Sequence, residues 1–432
     1  MVPDVNSDRE LTRAAGAEGD PAPPRSVIAP GQPSFERHFD QSIACPSCGG
    51  ATMLAFFALA QIPVHSCLLM ASRDDAVGCR RGDLRLGFCR ACGFIANTAF
   101  DPSVHEYSAR YEETQGFSPT FNAFARDLAD RLVAAHDLRG RTLLEIGCGK
   151  GEFLVRLCEL GGNAGIGIDP SYVPERTSSP AAARIRFIRD FYSEAYADLP
   201  ADFVCCRHTL EHIGAVGALV RTVRAALATG RPVPVFFEVP DVLRVLREGA
   251  FWDIYYEHCS YFSPGSLARL FRAAGFEVVD LALGFAGQYV LLTAKPADAP
   301  TSSTLPLEND LGELERAVDA FERVGAAAVE RWRATLDALR ARGRRPVVWG
   351  SGSKGVAFLA TLGTMDGIVD YVVDINPYKQ GRFMPGTGQE IVAPEFLARY
   401  RPTDVLVMNP IYTEEIRRHL GSLGLAPEVL AV

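Results

Sequence analysis

The sequence of 432 residues lacks any apolar run close to the roughly 18 residues that a membrane-spanning helix requires. Its start lacks the charged segment followed by an apolar one that marks a secretory signal. An excess of basic residues is also missing: the net charge of -8 argues against nucleic-acid binding as the main function. We therefore expect a cytoplasmic protein that binds neither membrane nor nucleic acid, and whose 11 cysteines are thiols or metal ligands rather than disulfides.

Composition divides the chain into five segments. Residues 1–40 are rich in Pro, Gly, Ala, Ser and charged residues, and we expect a disordered tail there. Residues 41–100 carry two cysteine pairs, and residues 101–295 alternate strands and helices. Residues 296–342 are predicted to be a linker and a helix, and residues 343–432 open with another strand and glycine turn. The predicted fold class is α/β: a central doubly wound domain, a small N-terminal module and a second, C-terminal Rossmann-like domain.

The two cysteine pairs have the spacing of zinc knuckles. Cys45 and Cys48 stand in "CPSCGG", and Cys89 and Cys92 stand in "FCRACGF". A C-x2-C pair lets both thiolates of a tight turn point at one metal, and two such turns complete a tetrahedral site. We predict a structural zinc site, because four thiolates leave no position open for catalysis. The alternative is four unrelated buried thiols.

A glycine turn follows the first predicted strand of the central domain. The segment "TLLEIGCGKGEFLVRL" begins with a strand over Thr142–Ile146 and ends in an amphipathic helix, and a second strand ends at Asp169. An acid at that strand end accepts hydrogen bonds from ribose hydroxyls in dinucleotide-binding folds. The turn has the pattern E-x-G-x-G-x-G, formed by Glu145, Gly147, Gly149 and Gly151.

This pattern departs from the G-x-G-x-x-G of NAD-binding proteins, because the third glycine comes one residue early and an acid precedes the first. It resembles motif I of class I S-adenosylmethionine-dependent methyltransferases. The resemblance implies that the motif, Glu145 included, binds the cofactor, with the three glycines along its methionine part. It also implies that Asp169 holds the ribose and that Asp190 contacts the adenine. A dehydrogenase and a fold without cofactor are the alternatives.

The segment "FWDIYYEHCSYFSP" at residues 251–264 has neither helical nor strand periodicity, and it interleaves six aromatic residues with ionisable ones. Together with the zinc knuckles and the two glycine turns, it resembles nucleotide-sugar C-methyltransferases, which methylate 4-keto deoxysugars in antibiotic biosynthesis. That family carries Tyr-x-Glu-His followed by Ser-Tyr-Phe-Ser, which Tyr255, Glu257 and His258 match here. His208 in "RHTLEH" matches a further family histidine. Tyr107 or Tyr111 takes the place of a tyrosine that lines the sugar site.

The chemistry of methylation next to a ketone explains these residue types. A base must remove the proton from the carbon, and His258 is the simplest candidate. Glu257 either orients that imidazole or is the base itself. Tyr255 or His208 would stabilise the enolate oxyanion. His212 and Cys259 are interpreted as structural.

The C-terminal segment adds a second candidate binding surface. "VVWGSGSKG" lacks the order of a P-loop, but its glycine turn and lysine suit a diphosphate. The resemblance implies that this turn and an Asn-Pro-x-Tyr element help to hold the nucleotide-sugar. The residues concerned are Gly350, Gly352, Ser353, Lys354, Asn409 and Tyr412.

The predicted function is therefore S-adenosylmethionine-dependent C-methylation beside the carbonyl of a nucleotide-linked keto sugar, in a protein with structural zinc. One alternative is a methyltransferase for another small natural-product scaffold, acting on carbon or oxygen. The other alternative is a cofactor-binding scaffold without catalysis. The sequence leaves the oligomeric state open.

Overall fold

The computed structural model describes residues 29–432 except 41–42, 51, 105–107, 109, 228–231, 300–302 and 364–366. Most of the tail predicted for residues 1–40 lies outside the described residues; residues 33–34 and 38–40 are strands. No helix among the described residues combines the length and hydropathy needed to cross a membrane. The described residues form three sheets, and the α/β fold class is confirmed.

The N-terminal segment forms a mostly antiparallel sheet. Its elements are β1 (Pro33–Ser34), β2 (His38–Asp40), β3 (Met53–Pro63), helix α1 (Arg73–Val77), β4 (Arg81–Phe88) and β5 (Ile95–Asn97). The strands β1 and β2 both pair with β3, which pairs with β4, and β4 pairs with β5. Strand β3, "MLAFFALAQIP", is largely buried. Its register with β4 shifts between Ala55 and Phe57, and the adjacent rings of Phe56 and Phe57 both contact Phe321 of a later helix.

The central segment forms a seven-stranded, doubly wound sheet. Its strands are β6 (Thr142–Ile146), β7 (Ala164–Ile168), β8 (Ile185–Ile188), β9 (Phe203–Arg207), β10 (Val235–Pro240), β12 (Phe276–Gly284) and β13 (Tyr289–Pro296), while β11 (Ser260–Tyr261) pairs with β5 instead. Its helices are α2 (Pro119–Ala135), α3 (Glu152–Gly161), α4 (Val216–Ala226), α5 (Val242–Glu248) and α6 (Pro264–Ala273). The order is β12-β13-β10-β9-β6-β7-β8, and β13 runs antiparallel to its neighbours.

The C-terminal segment forms a parallel five-stranded sheet of order β16-β15-β14-β17-β18. Its strands are β14 (Pro346–Trp349), β15 (Tyr371–Val373), β16 (Glu390–Val392), β17 (Asp404–Val407) and β18 (Glu428–Ala431). The helices of this part are α7 (Leu311–Ala341), α8 (Ser353–Leu362), α9 (Leu397–Tyr400) and α10 (Thr413–Ser422). Helix α7 spans 31 residues and reaches from the N-terminal sheet to the C-terminal one.

The N-terminal and C-terminal sheets share one apolar cluster, to which the central segment contributes α5 and part of the aromatic segment, so packing fixes their relative positions. A single cluster joins β3, α5, α7 and α8, with members such as Phe57, Leu246, Phe321 and Phe358. Phe251 and Trp252, the first residues of the aromatic segment, belong to this cluster and are buried. One half of the aromatic segment is therefore core, and the other half is available to line a cavity.

Candidate active site

A cavity of about 500 Å³ lies between the central and C-terminal sheets. Its walls contain the glycine turn after β6, the end of β7, the turn after β14 and the end of β17. Ligands of open α/β sheets bind at the carboxyl ends of the strands, and a volume of this size suits a small-molecule ligand. Both predicted binding surfaces and the histidine of the aromatic segment therefore open into one space.

The glycine turn is a cradle that only glycine can form. A Cβ on Gly147, where φ is +69°, would lie 2.0 Å from Oγ1 of Thr209. A Cβ on Gly151, where φ is +83°, would lie 2.6 Å from the ring of Phe187. Side chains at either position would both strain the backbone and clash, so the turn keeps the backbone close to any ligand in the cavity.

Acidic side chains surround this cradle. Asp169 accepts a hydrogen bond from Gly149 N at 2.9 Å through Oδ2, and from Ser171 N at 2.7 Å through Oδ1. Glu145 is buried beneath the turn, and burial raises the pKa of its carboxyl to about 8 although Arg207 opposes the shift. Asp190 is exposed at the rim. Acids around a cradle suit a cationic cofactor with no phosphate, so these residues fit S-adenosylmethionine.

His258 and Tyr255 line the same cavity and contact each other. The Tyr255 hydroxyl lies 2.7 Å from Nε2 of His258. Burial lowers the pKa of His258 well below its ordinary value, and the neighbouring His212, His208 and Lys354 lower it further. Burial raises the pKa of Tyr255 well above its ordinary value. The pair is thus a neutral imidazole next to a protonated phenol.

His208, unlike the neutral His258, carries a positive charge. Its Nε2 lies 2.8 Å from Oε1 of Glu238, and its Nδ1 lies 3.7 Å from Oε1 of Glu211. Burial opposes the cationic form, but the Glu238 and Glu211 carboxylates outweigh it and raise the pKa of His208 to about 9. A quarter of its side-chain surface remains exposed, and the residue lines the cavity. His208 is therefore an imidazolium at neutral pH.

Glu238 is a carboxylate deep in the fold, at the end of β10. It is fully buried and accepts hydrogen bonds from Arg207 Nε at 2.7 Å and Arg207 Nη2 at 3.2 Å. Burial would raise the pKa of Glu238, but Arg207 and His208 together lower it to about 2. Glu238 was not among the site residues predicted from the sequence, although an acid inside the apolar strand "VFFEVP" was a usable signal.

Glu257 occupies a different place from the one that its neighbour His258 suggests. Ser66 donates a hydrogen bond to its Oε2, and Nδ1 of His65 lies 3.6 Å from its Oε1. Ser66 also contacts the hydroxyl of Ser353, with 2.7 Å between the two oxygens. The described residues that line the cavity include His258 and Tyr255 but not Glu257. Glu257 therefore links the N-terminal and C-terminal sheets to the aromatic segment.

His212 lies in the cavity wall, whereas the sequence suggested only a structural helix position. Its ring packs edge-to-face on His258 with 4.9 Å between ring centroids. Atoms of Glu211, His212 and His258 all lie within 4.8 Å of one another, a spacing that a metal ion would also accept. Glu211 and His212 therefore lie beside the candidate base, His258.

The predicted substrate residues of the C-terminal sheet line the cavity, but several already have protein partners. Lys354 Nζ lies 2.5 Å from Oδ1 of Asp253, whose other oxygen accepts from Arg244 at 2.7 Å. Asn409 and Gln288 form a reciprocal amide pair with both distances at 2.9 Å. The Tyr412 hydroxyl donates to Oε1 of Gln115 at 2.9 Å. The same wall of the cavity contains Gly350, Gly352 and Ser353, and the buried Tyr111 also lines the cavity. Tyr107 lies outside the described residues.

The four cysteines of the two pairs converge at one point away from the cavity. Sγ of Cys45 lies 3.6 Å from Sγ of Cys92, and Sγ of Cys48 lies 3.7 Å from Sγ of Cys89. The two sequence pairs form turns of the same kind. In each turn, the backbone N–H of the glycine after the second cysteine donates to the carbonyl oxygen of the first cysteine at 2.8 Å. These distances match a tetrahedron of sulfurs about 2.3 Å from a central zinc ion. The donor set therefore fits structural zinc.

Comparisons with known proteins agree with this geometry. Residues 120–281 match the family model described as a methyltransferase domain, and residues 302–424 match the one described as a C-methyltransferase C-terminal domain. C-methyltransferase NovU of Streptomyces niveus is 28% identical over 392 residues, which cover 86% of this chain and 90% of that protein.

Two further similarities each cover less than half of this chain. Ubiquinone biosynthesis O-methyltransferase of Methylobacterium sp. (strain 4-46) is 27% identical over 186 residues, which cover 38% of this chain and 73% of that protein. The solved structure of 1,6-didemethyltoxoflavin-N1-methyltransferase from Burkholderia thailandensis is 21% identical with a TM-score of 0.32. That match covers 42% of this chain and 82% of the other.

Proposed function

We propose that this chain, which is similar to a C-methyltransferase over most of its length, uses S-adenosylmethionine to methylate the carbon next to the carbonyl of a nucleotide-linked keto sugar. The observation that carries the proposal is a pair of histidines in one cavity, of which one is neutral and the other is cationic. Neutral His258 can take a proton, and cationic His208 can stabilise the oxyanion that results.

The proton acceptor is His258. Its neutral ring carries one unprotonated nitrogen near neutral pH, and the contact between its Nε2 and the Tyr255 hydroxyl orients the ring. Its low pKa comes from burial and from the positive charges of nearby groups. A negative enolate that forms beside the ring offsets those charges, so the ring becomes more basic as the proton moves.

The oxyanion partner is His208. Its imidazolium exists before substrate binds, because Glu238 and Glu211 hold the charge in place. Preorganised donors in a site with little water stabilise developing charge strongly, since no dipole must reorient during the reaction. Loss of one such donor typically costs about 100- to 1,000-fold in turnover.

The cofactor, when bound, supplies an electrophilic methyl group. The chain's own part is to hold that cofactor with the glycine turn and Asp169, and to keep water from the enolate. Tyr255 and Tyr261 of the aromatic segment line the cavity beside His258. They limit the space in which water could reprotonate the carbon.

The proposal of a nucleotide-linked keto sugar rests on the C-terminal sheet. Residues of the turn after β14 and of the element after β17 line the same cavity as the cofactor cradle. The C-terminal sheet gives the cavity a second binding surface, which a nucleotide attached to the methyl acceptor would occupy and a small acceptor alone would not need. We also propose that Cys45, Cys48, Cys89 and Cys92 hold structural zinc.

The first experiment is thermal unfolding with S-adenosylhomocysteine present, adding dTDP, UDP, GDP or CDP in turn. A ligand that binds only the folded state stabilises it by about 2.7 kcal/mol at a hundredfold excess over its Kd. We expect one nucleotide to raise the unfolding temperature further. A rise with S-adenosylhomocysteine but with none of the nucleotides would argue against the sugar.

The second experiment tests carbon chemistry directly. Keto sugars on the selected nucleotide are incubated in deuterated water with S-adenosylhomocysteine, which cannot donate a methyl group. We expect deuterium to appear at the carbon next to the carbonyl with the wild-type protein, and not with His258→Ala. Methylation of an oxygen instead of a carbon in the complete reaction would favour O-methylation, the chemistry named for the Methylobacterium relative.

A further inference from the structure

One acid at the cofactor cradle has no part in the proposed reaction. Glu113 lies in the segment before α2 and lines the cavity. A Cβ on Gly149 would lie 2.8 Å from its Oε1, so this oxygen faces the middle glycine of the turn. Its Oε2 is buried and lies 3.6 Å from Nζ of Lys150.

Lys150 does not satisfy this carboxylate. Its Nζ donates to the carbonyl oxygens of Tyr111 at 2.7 Å and of Ser171 at 2.9 Å, which hold it beyond hydrogen-bond distance of Glu113. Among the described residues, no donor reaches Oε2 of Glu113. Burial raises the pKa of Glu113 to about 7, although Lys150 opposes the shift. A carboxylate with a buried oxygen that no donor reaches would be stabilised by a cation placed beside it.

The other acids around the turn are less suited to receive one. Glu152 accepts a hydrogen bond from Thr114 at 2.6 Å, and Asp169 is occupied by Gly149 N and Ser171 N. Glu145 lies beneath the turn and faces the buried guanidinium of Arg207. Glu145 also has a buried oxygen, Oε2, that no described donor reaches, and it belongs to the glycine motif already assigned to the cofactor. Outside that motif, Glu113 is the acid of these four whose carboxylate both faces Gly149 and has such an oxygen.

We propose that Glu113 accepts the α-ammonium group of the cofactor's methionine part. The inference rests on S-adenosylmethionine being the cofactor, and it adds a residue outside the glycine motif. An ammonium has three donors and a full charge, so a buried carboxylate is its natural partner. Glu113 then helps to select cofactors that carry an intact amino-acid part.

The test compares two ligands that differ in that part. S-adenosylhomocysteine has the ammonium, whereas 5′-methylthioadenosine keeps the adenosine and the thioether but lacks the amino acid. Their Kd values are measured by calorimetry for the wild type and for Glu113→Gln. We expect the variant to bind S-adenosylhomocysteine about 10- to 100-fold more weakly, the range for a lost charge-assisted hydrogen bond. Binding of 5′-methylthioadenosine should stay within about twofold.

Glu152→Gln is the matched control, because it removes a neighbouring acid of the same cavity. It should leave both Kd values near those of the wild type. Equal weakening of both ligands in Glu113→Gln, or weakening of S-adenosylhomocysteine only in Glu152→Gln, would overturn the proposal. Unchanged binding of 5′-methylthioadenosine also shows that Glu113→Gln is folded. Failure of the wild type to bind S-adenosylhomocysteine would instead refute the cofactor itself.

Discussion

Nε2 of His208 lies 2.8 Å from Oε1 of Glu238, a carboxylate that Arg207 also holds. The backbone of His208 has a φ of +50°, an uncommon conformation for a residue with a side chain. It follows directly after β9, and this conformation turns the ring toward the end of β10. A buried carboxylate thereby fixes both the orientation and the charge of a histidine in the cavity wall.

The charge of His208 predicts an alkaline limit of activity. Its pKa is raised to about 9, so the imidazolium persists at neutral pH and is lost as pH rises through about 9. Glu238→Gln removes the partner, which should lower the pKa of His208 and move the alkaline limb of kcat/KM to lower pH. Glu211→Gln, which removes the more distant carboxylate, should move it less. An alkaline limb at the same pH in Glu238→Gln would refute this role.

The same shift predicts a pH dependence of stability. A group whose pKa is raised on folding stabilises the fold most below its unfolded value of about 6.5, and that contribution disappears as pH rises through 9. The wild type should therefore lose stability between pH 6.5 and 10 in urea unfolding. His208→Gln should lose less over this interval. Parallel losses in the two proteins would contradict the assignment.

Replacement of His258 should abolish chemistry but not cofactor binding. His258→Ala is expected to lower kcat by about 100- to 10,000-fold, the range for a lost general base. Tyr255→Phe removes the hydroxyl that contacts the ring and should lower kcat less. Cys259→Ser, at the next residue, is the control and should stay close to the wild type. Turnover of His258→Ala at the wild-type rate would eliminate His258 as the base.

Glu257 should matter more for stability than for proton transfer. Its carboxylate accepts from Ser66 and faces His65, so Glu257→Ala leaves buried polar groups without a partner. We expect a loss of about 1–3 kcal/mol in the free energy of unfolding, measured in urea. Deuterium exchange into substrate by the folded fraction should persist. A variant of normal stability that lacks this exchange would make Glu257 the base instead.

The cysteine cluster should contain one zinc ion per chain. Metal analysis by mass spectrometry should show zinc in the purified wild type, and Cys89→Ser should contain less of it. Because structural zinc contributes directly to folding, this variant should also unfold at a lower temperature. Cys79→Ser removes a thiol outside the cluster and is the control. A wild type without bound metal would refute the site.

The local features of the protein were predictable because neighbouring residues determine them. The strand Thr142–Ile146 was expected with these bounds, and the glycines after it adopt the positive φ angles that their pattern indicated. The cysteine pairs form the expected turns, since the C-x2-C-G pattern contains the hydrogen bonds that close each turn. The α/β class followed from the alternation of strands and helices.

The sequence alone determined the fold class, the glycine turn after β6 and the turns at the two cysteine pairs. Only the tertiary structure decided what those residues contact. Glu257 meets Ser66 from 191 positions away, and Asn409 meets Gln288 from 121 positions away. Such contacts depend on how the three parts of the chain pack against one another, and no local pattern records that packing. The charge states of His208 and His258 differ for the same reason, because each depends on the groups that the folded chain brings beside it.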